Sequence, residues 1–169
     1  LAMATSTLGT MWVLLNDGTG DFTARSTYAT GTSPQSVAVG DLDGVNGPDL
    51  TVANFIDNTV SVLLNNGGGT YVAKVDYPTG LGPKSVAVGN FDGINGPDLV
   101  VVNETDNTVS VMLNNSDGTY AAKVDYATGQ KPKAVVVGDF DSLNGPDLAV
   151  VNEFGKTVSI LLNNGNGSF

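Results

Sequence analysis

Short apolar runs alternate along the whole chain with segments rich in glycine, asparagine and aspartate, and no stretch has the apolar period of an amphipathic helix. Short runs bounded by turn-forming residues are typical of β-strands. Where the pattern is most complete it predicts four strands, which we label A to D: residues 36–39, 50–53, 59–64 and 70–77.

The composition of the strands predicts their order in a sheet. Strand D alternates, with Tyr71, Ala73, Val75 and Tyr77 on one face and more polar residues on the other, as expected of an outer strand. Strand A has small and β-branched residues on both faces, which predicts an inner strand buried on both sides. Residues 65–69, between C and D, favour a hairpin.

The whole pattern repeats with a shift of 49 residues. Residues 36–49 recur at 85–98 and 134–147, and residues 59–66 recur at 108–115 and 157–164, with a weaker copy at 10–17. Four antiparallel strands in a repeat of this length predict an all-β protein built of β-propeller blades. A β-solenoid is the alternative, which we disfavour because its coils are usually shorter and lack this hairpin pattern.

The repeat register predicts a single repeat domain over residues 1–169 that begins and ends within a blade. It divides into a partial blade 1–30, a blade 31–79, a blade 80–128 and a partial blade 129–169. Residues 1–5 form a degraded strand B and Phe169 falls where strand D would begin, so the strands read BCD, ABCD, ABCD, ABC. Closed propellers have about four to eight blades, so we expect an incomplete or oligomer-completed propeller. Either the chain is a piece of a longer propeller, which is the commoner case, or several copies associate through their open blade edges.

The amino-acid composition argues against several classes of function. The chain has 17 acidic and 7 basic residues, a net charge of -10, which repels nucleic acid. It contains no histidine, no cysteine and no Gly-x-Ser-x-Gly motif, so we expect a protein that is not an enzyme. No apolar run approaches the roughly 20 residues of a membrane-spanning helix, so we expect no membrane insertion.

One part of the repeat is recognisable: residues 40–50, then Thr-Val-Ala-Asn, then residues 59–67. It resembles the FG-GAP/VCBS repeat family, which is found in integrin α-subunit heads and in microbial surface proteins. The resemblance covers essentially the whole chain, with three full copies in register. It implies an extracellular or cell-surface β-propeller with calcium in the loop between strands A and B. Proteins of this family serve in adhesion, ligand binding or scaffolding.

The A–B loop itself has the spacing of a calcium site. Oxygen-bearing side chains at positions 1, 3 and 9 of a nine-residue loop can surround one hard cation. The candidate metal ligands are Asp41, Asp43 and Asp49; Asn90, Asp92 and Asp98; and Asp139, Asp141 and Asp147.

The loops depart from the family at position 5, where an acidic or amide residue is replaced by Val45, Ile94 and Leu143. Each site thereby loses one ligand and should bind calcium more weakly, and Asn90 makes the second loop the poorest site. In an alternative interpretation the loops are metal-free turns whose aspartates cap main-chain N–H groups. A glycosidase carboxylate pair is disfavoured because the acids recur in every repeat.

Strand parity places the A–B and C–D loops at one end of a blade and the B–C and D–A loops at the other. The repeat varies most in the B–C and D–A loops, where binding residues tend to lie. There Phe55 and Phe154 can stack on a sugar or anchor a peptide, and Glu104 and Glu153 complete the candidate ligand-binding set. The alternative is that the aromatic rings pack on neighbouring blades.

Four other charged or aromatic residues are weaker candidates for ligand binding. We expect Lys84, Lys131 and Lys133 to be ordinary solvated charges, and Trp12 to pack in the core. The sequence therefore predicts a calcium-binding module for a carbohydrate or protein ligand. The alternative is a structural subunit that assembles through its incomplete blades into a surface filament or ring.

Overall fold

The computed structural model describes residues 1–5, 9–22 and 24–169, and throughout this part of the chain the secondary structure is β-strand and turn, with no helix. No helix that could cross a membrane occurs in the described ranges. All paired strands are antiparallel. The prediction of an all-β protein is confirmed.

The strands form four main sheets that follow one another along the chain. The first contains β1 (Ala2–Thr5), β2 (Thr10–Leu15) and β3 (Ala24–Ala29). The second contains β4 (Pro34–Gly40), β5 (Asp49–Asn54), β6 (Thr59–Leu63) and β9 (Val75–Pro78), with a separate hairpin of β7 (Asn65–Gly67) and β8 (Thr70–Tyr71). The third contains β10 (Pro83–Gly89), β11 (Asp98–Asn103), β12 (Thr108–Met112) and β13 (Val124–Ala127), and the fourth contains β14 (Pro132–Gly138), β15 (Asp147–Asn152) and β16 (Thr157–Leu161).

The main sheets thus have three, four, four and three strands, in agreement with the strand order inferred from the sequence. In each four-stranded sheet, neighbouring strands in space are also neighbours in the A to D order. The exact division of the chain into blades stays a prediction.

Strand D differs from the prediction of one continuous strand over residues 70–77. Thr70 and Tyr71 pair with the β7 segment, and the Val72 N–H donates to the Leu64 carbonyl at 2.9 Å. Pairing with β6 begins only at Val75. The hairpin therefore interrupts the strand, and the expected alternation fails because Val75 is exposed while Tyr71 and Tyr77 are half-buried.

Strand A is also more exposed than predicted. Val39 in β4 lies on the same face as Leu50 but is exposed. Within the described residues the first sheet contains no strand equivalent to β4, and Val39 is left uncovered on that side. Its equivalent in the third sheet, Val88, is partly buried and packs against the core cluster.

The core consists of three apolar layers, one between each pair of successive sheets. We call the face of a sheet that packs on the following sheet its forward face, and the other its rear face. In the middle layer Ala53, Val60 and Val62 form the forward face of the second sheet. They pack against the rear face of the third sheet, formed by Leu99, Val101 and Met112. Each buried aliphatic side chain contributes about 1.5–3 kcal/mol, so these layers dominate stability.

Hydrogen bonds and aromatic pairs join successive sheets in a repeating manner. Asn114 Nδ2 donates to the Leu42 carbonyl of the preceding repeat at 2.8 Å, and Asn163 Nδ2 donates to the Phe91 carbonyl at 2.8 Å. Three edge-to-face aromatic pairs with centroids 5.4–5.5 Å apart recur every 49 residues: Tyr28–Tyr71, Tyr77–Tyr120 and Tyr126–Phe169. Phe169 thus occupies the place that Tyr71 and Tyr120 hold in the second and third repeats.

Trp12 does not lie in a layer between two sheets, contrary to expectation. It replaces the serine found at Ser61 and lies on the rear face of the first sheet, half-buried. The Arg25 guanidinium carbon lies 4.4 Å from the centroid of the Trp12 ring. The indole is therefore shielded by a cation within its own sheet, and the residues described here include no preceding sheet to cover it.

Each of the three complete B strands ends in a buried asparagine whose side chain bonds to neighbouring segments. Asn54 Nδ2 donates to Thr59 Oγ1 at 3.1 Å and to Ser61 Oγ at 2.8 Å, and its Oδ1 accepts the Gly31 N–H at 3.0 Å. A Cβ on Gly31 would lie 2.7 Å from Asn54 Cγ, which explains the glycine at this position. Asn103 and Asn152 make the same pair of side-chain bonds.

We predict that Asn54→Ala lowers the free energy of unfolding by about 2–3 kcal/mol, because buried hydrogen-bonding groups lose their partner. Urea denaturation measures this change. The control is Asn115→Ala, which removes an asparagine from an exposed hairpin and should change stability by less than about 1 kcal/mol. Equal effects of the two substitutions would contradict a special role for the buried asparagine.

Candidate functional site

The loops lie in two groups, as strand parity requires. At one end, here called the acidic end, the A–B loops contact the start of the C–D segments: Asp49 Oδ1 accepts the Asn65 N–H at 2.7 Å. At the opposite end, the B–C and D–A loops bond to each other, for example through the Glu104 N–H to the Gly82 carbonyl at 2.9 Å. The two groups of predicted site residues are therefore separated.

In each A–B loop the three predicted metal ligands have fixed roles in the hydrogen bonding. Asp41 Oδ1 accepts the Gly44 N–H at 2.9 Å, and Asp43 Oδ1 accepts the Val45 N–H at 2.8 Å. The buried Asp49 uses both oxygens, accepting the N–H groups of Leu42 at 2.6 Å and Asn65 at 2.7 Å. The same bonds recur in the second loop with Asn90, Asp92 and Asp98, and in the third with Asp139, Asp141 and Asp147.

Position 6 of the loops also has a structural explanation. Asn46, Asn95 and Asn144 have φ of 59°, 61° and 55°, in the left-handed region that few residues other than glycine adopt readily. Asparagine tolerates this conformation better than most residues, so the turn forms with asparagine at this position. These bonds and turns are also what the metal-free interpretation requires.

The donor set nevertheless fits a hard divalent cation. In the first loop, carboxylate oxygens of Asp41, Asp43 and Asp49 lie within 4.8 Å of one another, and the same holds for Asp139, Asp141 and Asp147. Asp41 and Asp43 each use only one oxygen in the bonds above, so within the described ranges a second oxygen of each is left for an ion. Exposed Val45 offers no ligand, so main-chain carbonyls or water would have to complete the coordination of an ion.

Burial affects the position-9 carboxyls unequally. It raises the pKa of Asp49 and of Asp98, although main-chain N–H donors oppose this. Hydrogen bonding from the Asn163 N–H lowers the pKa of Asp147 instead. The difference follows from the sheets: a following sheet desolvates the first two carboxyls, whereas the described chain has no sheet after the fourth.

At the opposite end, a cleft of about 300 Å³ lies between the third and fourth repeats. Its walls come from two B–C loops and one D–A loop. The lining residues are Glu104, Thr105, Asn107, Gln130, Lys131 and Phe154. Phe154 is 73% exposed, so its ring is available to a ligand.

Three lysines converge on the Glu104 carboxylate, whose side chain is only 11% exposed. Lys133 Nζ lies 2.7 Å from Glu104 Oε1, and the Nζ atoms of Lys131 and Lys84 lie 3.8 and 3.9 Å from its carboxylate oxygens. The hydrogen bond from Lys133 lowers the pKa of Glu104, and the same contact raises the pKa of Lys133. The expectation of an ordinary solvated charge is therefore wrong for Lys133, whereas Lys131 is 58% exposed and agrees with it.

The predicted ligand-binding residues are only partly brought together. Glu104 and Phe154 line the cleft, and Glu153 lies next to it, 3.1 Å from Lys133 Nζ. Phe55 lies one repeat earlier, with Lys84 Nζ 5.2 Å from its ring centroid, and does not line the cleft. It contacts the neighbouring D–A loop, since a Cβ on Gly82 would lie 3.1 Å from its ring.

Four lining residues were absent from the predicted set: Thr105, Asn107, Gln130 and Lys131. Their signal in the sequence is the variation between repeats. Lys131 replaces Gly82 of the preceding repeat, and Phe154 replaces Thr105. Between the second and third repeats the corresponding space is narrow, because a Cβ on Gly82 would lie 2.5 Å from Thr105 Oγ1.

No family model matches the chain, and no curated protein matches it. Among solved structures, the chain is similar to a lectin from Agrocybe aegerita that specifically recognises non-reducing terminal N-acetylglucosamine. The two align with 22% identity and a TM-score of 0.64, over 95% of this chain and 45% of the lectin chain. A protein of unknown function from Desulfotomaculum acetoxidans aligns with 16% identity and a TM-score of 0.61 over 94% of this chain and 49% of its own. The Tc holotoxin pore of Photorhabdus luminescens aligns with 15% identity and a TM-score of 0.54 over 99% of this chain and 8% of its own.

These proteins share a fold with this chain. The chain spans less than half the length of each of them. At identities of 15–22%, the likeness concerns the arrangement of the strands and not the site residues.

We predict that Glu104→Gln lowers stability at pH 7 by about 1–2 kcal/mol, because it removes a charge-assisted hydrogen bond that is partly buried. The folded-state pKa of Glu104 lies below its ordinary value of 4.5, so its contribution is present above that pH and is lost as pH falls through the folded pKa. Urea denaturation at pH 7 and at about pH 3 should show a larger difference from wild type at pH 7 than at pH 3.

The control is Glu153→Gln, which removes a 64% exposed carboxylate with one lysine partner and should have a smaller effect. A loss of stability by Glu104→Gln that is equal at both pH values would show that packing, and not charge, is responsible.

Proposed function

We propose that this chain is a non-catalytic, carbohydrate-binding β-propeller module, in which each main sheet is a blade. The observation that carries the proposal is the cleft between the third and fourth repeats, which combines an exposed phenylalanine ring with amide and charged groups. The shared fold with a lectin supports a sugar as the ligand over a protein segment.

The lining of the cleft suits a sugar. The Phe154 ring can stack on the apolar face of a pyranose, while Asn107, Gln130 and Lys131 supply hydrogen-bond donors for its hydroxyl groups. At about 300 Å³ the cleft has room for a single sugar residue and is open to solvent on one side. This favours the exposed end of a glycan over an internal residue.

The state of Glu104 supports binding without catalysis. A glycosidase needs a carboxylic acid whose pKa is raised so that it can donate a proton. Lys133 instead lowers the pKa of Glu104 and keeps it ionised. We therefore assign Glu104 the role of orienting the surrounding lysines and of accepting a hydrogen bond from the ligand.

Calcium in the A–B loops is part of the proposal. The resemblance to FG-GAP/VCBS repeats and the all-oxygen donor sets of Asp41, Asp43 and Asp49 and of Asp139, Asp141 and Asp147 support it. An ion there would offset the repulsion among the aspartates and fix the A–B loop. An extracellular or cell-surface location with a role in adhesion follows from the same resemblance.

We expect N-acetylglucosamine to bind the wild-type chain and Phe154→Ala to weaken binding at least tenfold, because the stacking surface is lost. Isothermal titration calorimetry measures the Kd, and a glycan array extends the search to other terminal sugars. The matched control is Ile56→Ala: Ile56 holds the equivalent repeat position, is 61% exposed and lies outside the cleft. Absence of binding to every glycan, or equal weakening by both substitutions, would rule out the cleft.

We expect the melting temperature to be higher in calcium than in a chelator. At a free calcium concentration of about 100 times the Kd, each bound ion adds roughly 2.7 kcal/mol to the free energy of unfolding. Asp43→Ala and Asp141→Ala should each remove part of this calcium-dependent increase. The control Asp106→Ala removes an acid from the opposite end and should leave the increase unchanged. If neither loop substitution reduces the response, the assignment of the ligands is wrong.

A further inference from the structure

The B–C loop at the cleft lacks a carboxylate that the two preceding repeats have at the same position. The equivalent residues are Asp57, Asp106 and Gly155. Asp57 Oδ2 accepts the Thr32 N–H at 2.8 Å, and Asp106 Oδ2 accepts the Leu81 N–H at 2.7 Å. In both repeats the aspartate thus joins the B–C loop to the D–A loop that begins the same repeat, and it takes up a main-chain donor of that loop.

At the cleft this donor has no such acceptor. The main-chain N–H equivalent to those of Thr32 and Leu81 belongs to Gln130, and no protein group accepts it within the described ranges. Gln130 lines the cleft and is exposed. A Cβ on Gly155 would lie 3.5 Å from the Gln130 nitrogen, so a carboxylate at this place is within reach of the donor. The cleft therefore contains an unused N–H where the other repeats place a carboxylate.

The glycine also changes the neighbouring main-chain bond. In the second repeat, the Ile56 N–H donates to the Thr32 carbonyl at 3.3 Å. At the cleft, the Gly155 N–H takes the equivalent carbonyl, that of Gln130, at 3.3 Å. The Phe154 N–H, equivalent to that of Ile56, consequently has no protein acceptor in the part of the chain that the structure describes. Two main-chain donors at the cleft are thus available to a ligand.

A lysine is present where the carboxylate is lost. Lys131 follows Gln130, replaces Gly82 of the preceding repeat and lines the cleft. The basic residues at this end of the sheets are four of the seven in the chain: Lys84, Lys131, Lys133 and Lys156. The acidic residues at this end are only four of 17: Asp57, Glu104, Asp106 and Glu153. By this count the end with the cleft is neutral, although the chain has a net charge of -10.

The two carboxylates closest to the cleft are already paired. Lys133 Nζ lies 2.7 Å from Glu104 Oε1 and 3.1 Å from Glu153 Oε2. Glu104 is also mostly covered, whereas the side chain of Lys131, with its Nζ 3.8 Å from Glu104 Oε1, is exposed. An anionic ligand therefore meets the charge of Lys131 and carboxylates that are offset by Lys133.

We propose that the ligand of the cleft is an acidic sugar of the hexuronic acid kind, whose carboxylate takes the place that Asp57 and Asp106 hold in the preceding loops. The inference rests on the proposed function, which it narrows from a sugar to an acidic sugar. The carboxylate accepts the Gln130 N–H and pairs with Lys131, because unpaired main-chain N–H groups beside a cation form a site for an anion. The sugar ring stacks on Phe154.

The test compares two sugars that differ only at C6. Methyl β-D-glucuronide has a carboxylate where methyl β-D-glucoside has a hydroxymethyl group. Isothermal titration calorimetry should give the wild type a Kd at least about tenfold lower for the glucuronide, because charge-assisted hydrogen bonds are stronger than neutral ones. In proton–nitrogen correlation NMR spectra, the Gln130 amide proton should shift downfield with the glucuronide and not with the glucoside.

Gly155→Asp supplies the carboxylate from the chain itself, as in the preceding loops, and should abolish the preference for the glucuronide. The matched control is Gly155→Ala. It adds the same Cβ, 3.2 Å from Thr157 Oγ1 and 3.5 Å from the Gln130 nitrogen, without a charge, and should retain the preference. Thermal denaturation checks that both variants remain folded.

The outcomes separate this inference from the proposed function. Equal affinities of the wild type for the two sugars, or a preference that survives Gly155→Asp, would overturn the inference while sugar binding that depends on Phe154 still stands. No binding of the glucuronide, the glucoside or N-acetylglucosamine would contradict the proposed function itself. In that case, binding of N-acetylaspartate amide that Gly155→Asp abolishes would assign the carboxylate site to an acidic peptide in place of a sugar.

Discussion

Face-to-face packing of sheets is the interaction on which the rest of this structure depends. Each inner sheet has two apolar faces, and both must be covered by other sheets because the strands lack a polar side to present to water. The asparagine bonds and aromatic pairs that join successive sheets set the register of this packing. Loops at either end are then positioned by their neighbours in the stack, and the cleft depends on two consecutive repeats.

Most of the fold could be predicted from the sequence because the repeat and the strand pattern are local. The 49-residue period, the strand order and the all-β class all follow from short apolar runs and turn residues. The errors have non-local causes. Strand D is interrupted because the β7–β8 hairpin takes its first residues, and Val39 is exposed because the first sheet has no strand beside it.

The two candidate sites differ in how far the sequence reveals them. The acidic loops are contiguous in sequence, so the spacing of their oxygens could be read directly, and the structure brings the carboxylates of two loops within 4.8 Å. The cleft is formed by loops from two repeats, and its lysines act through Glu104, 29 residues from Lys133. Such a pairing has no local signature. The one available signal was the loss of repeat symmetry at Lys131 and Phe154.

The stacking that forms the core also builds the cleft. Its walls come from the B–C loops of the third and fourth repeats and from the D–A loop between them, and the strands that carry these loops pack in one apolar layer. The proposed ligand, a single sugar residue, would make few contacts in so shallow a site, which implies a modest affinity. Packing of the third sheet on the fourth therefore fixes the walls of the cleft as well as stabilising the core, so a substitution that loosens this layer should weaken both.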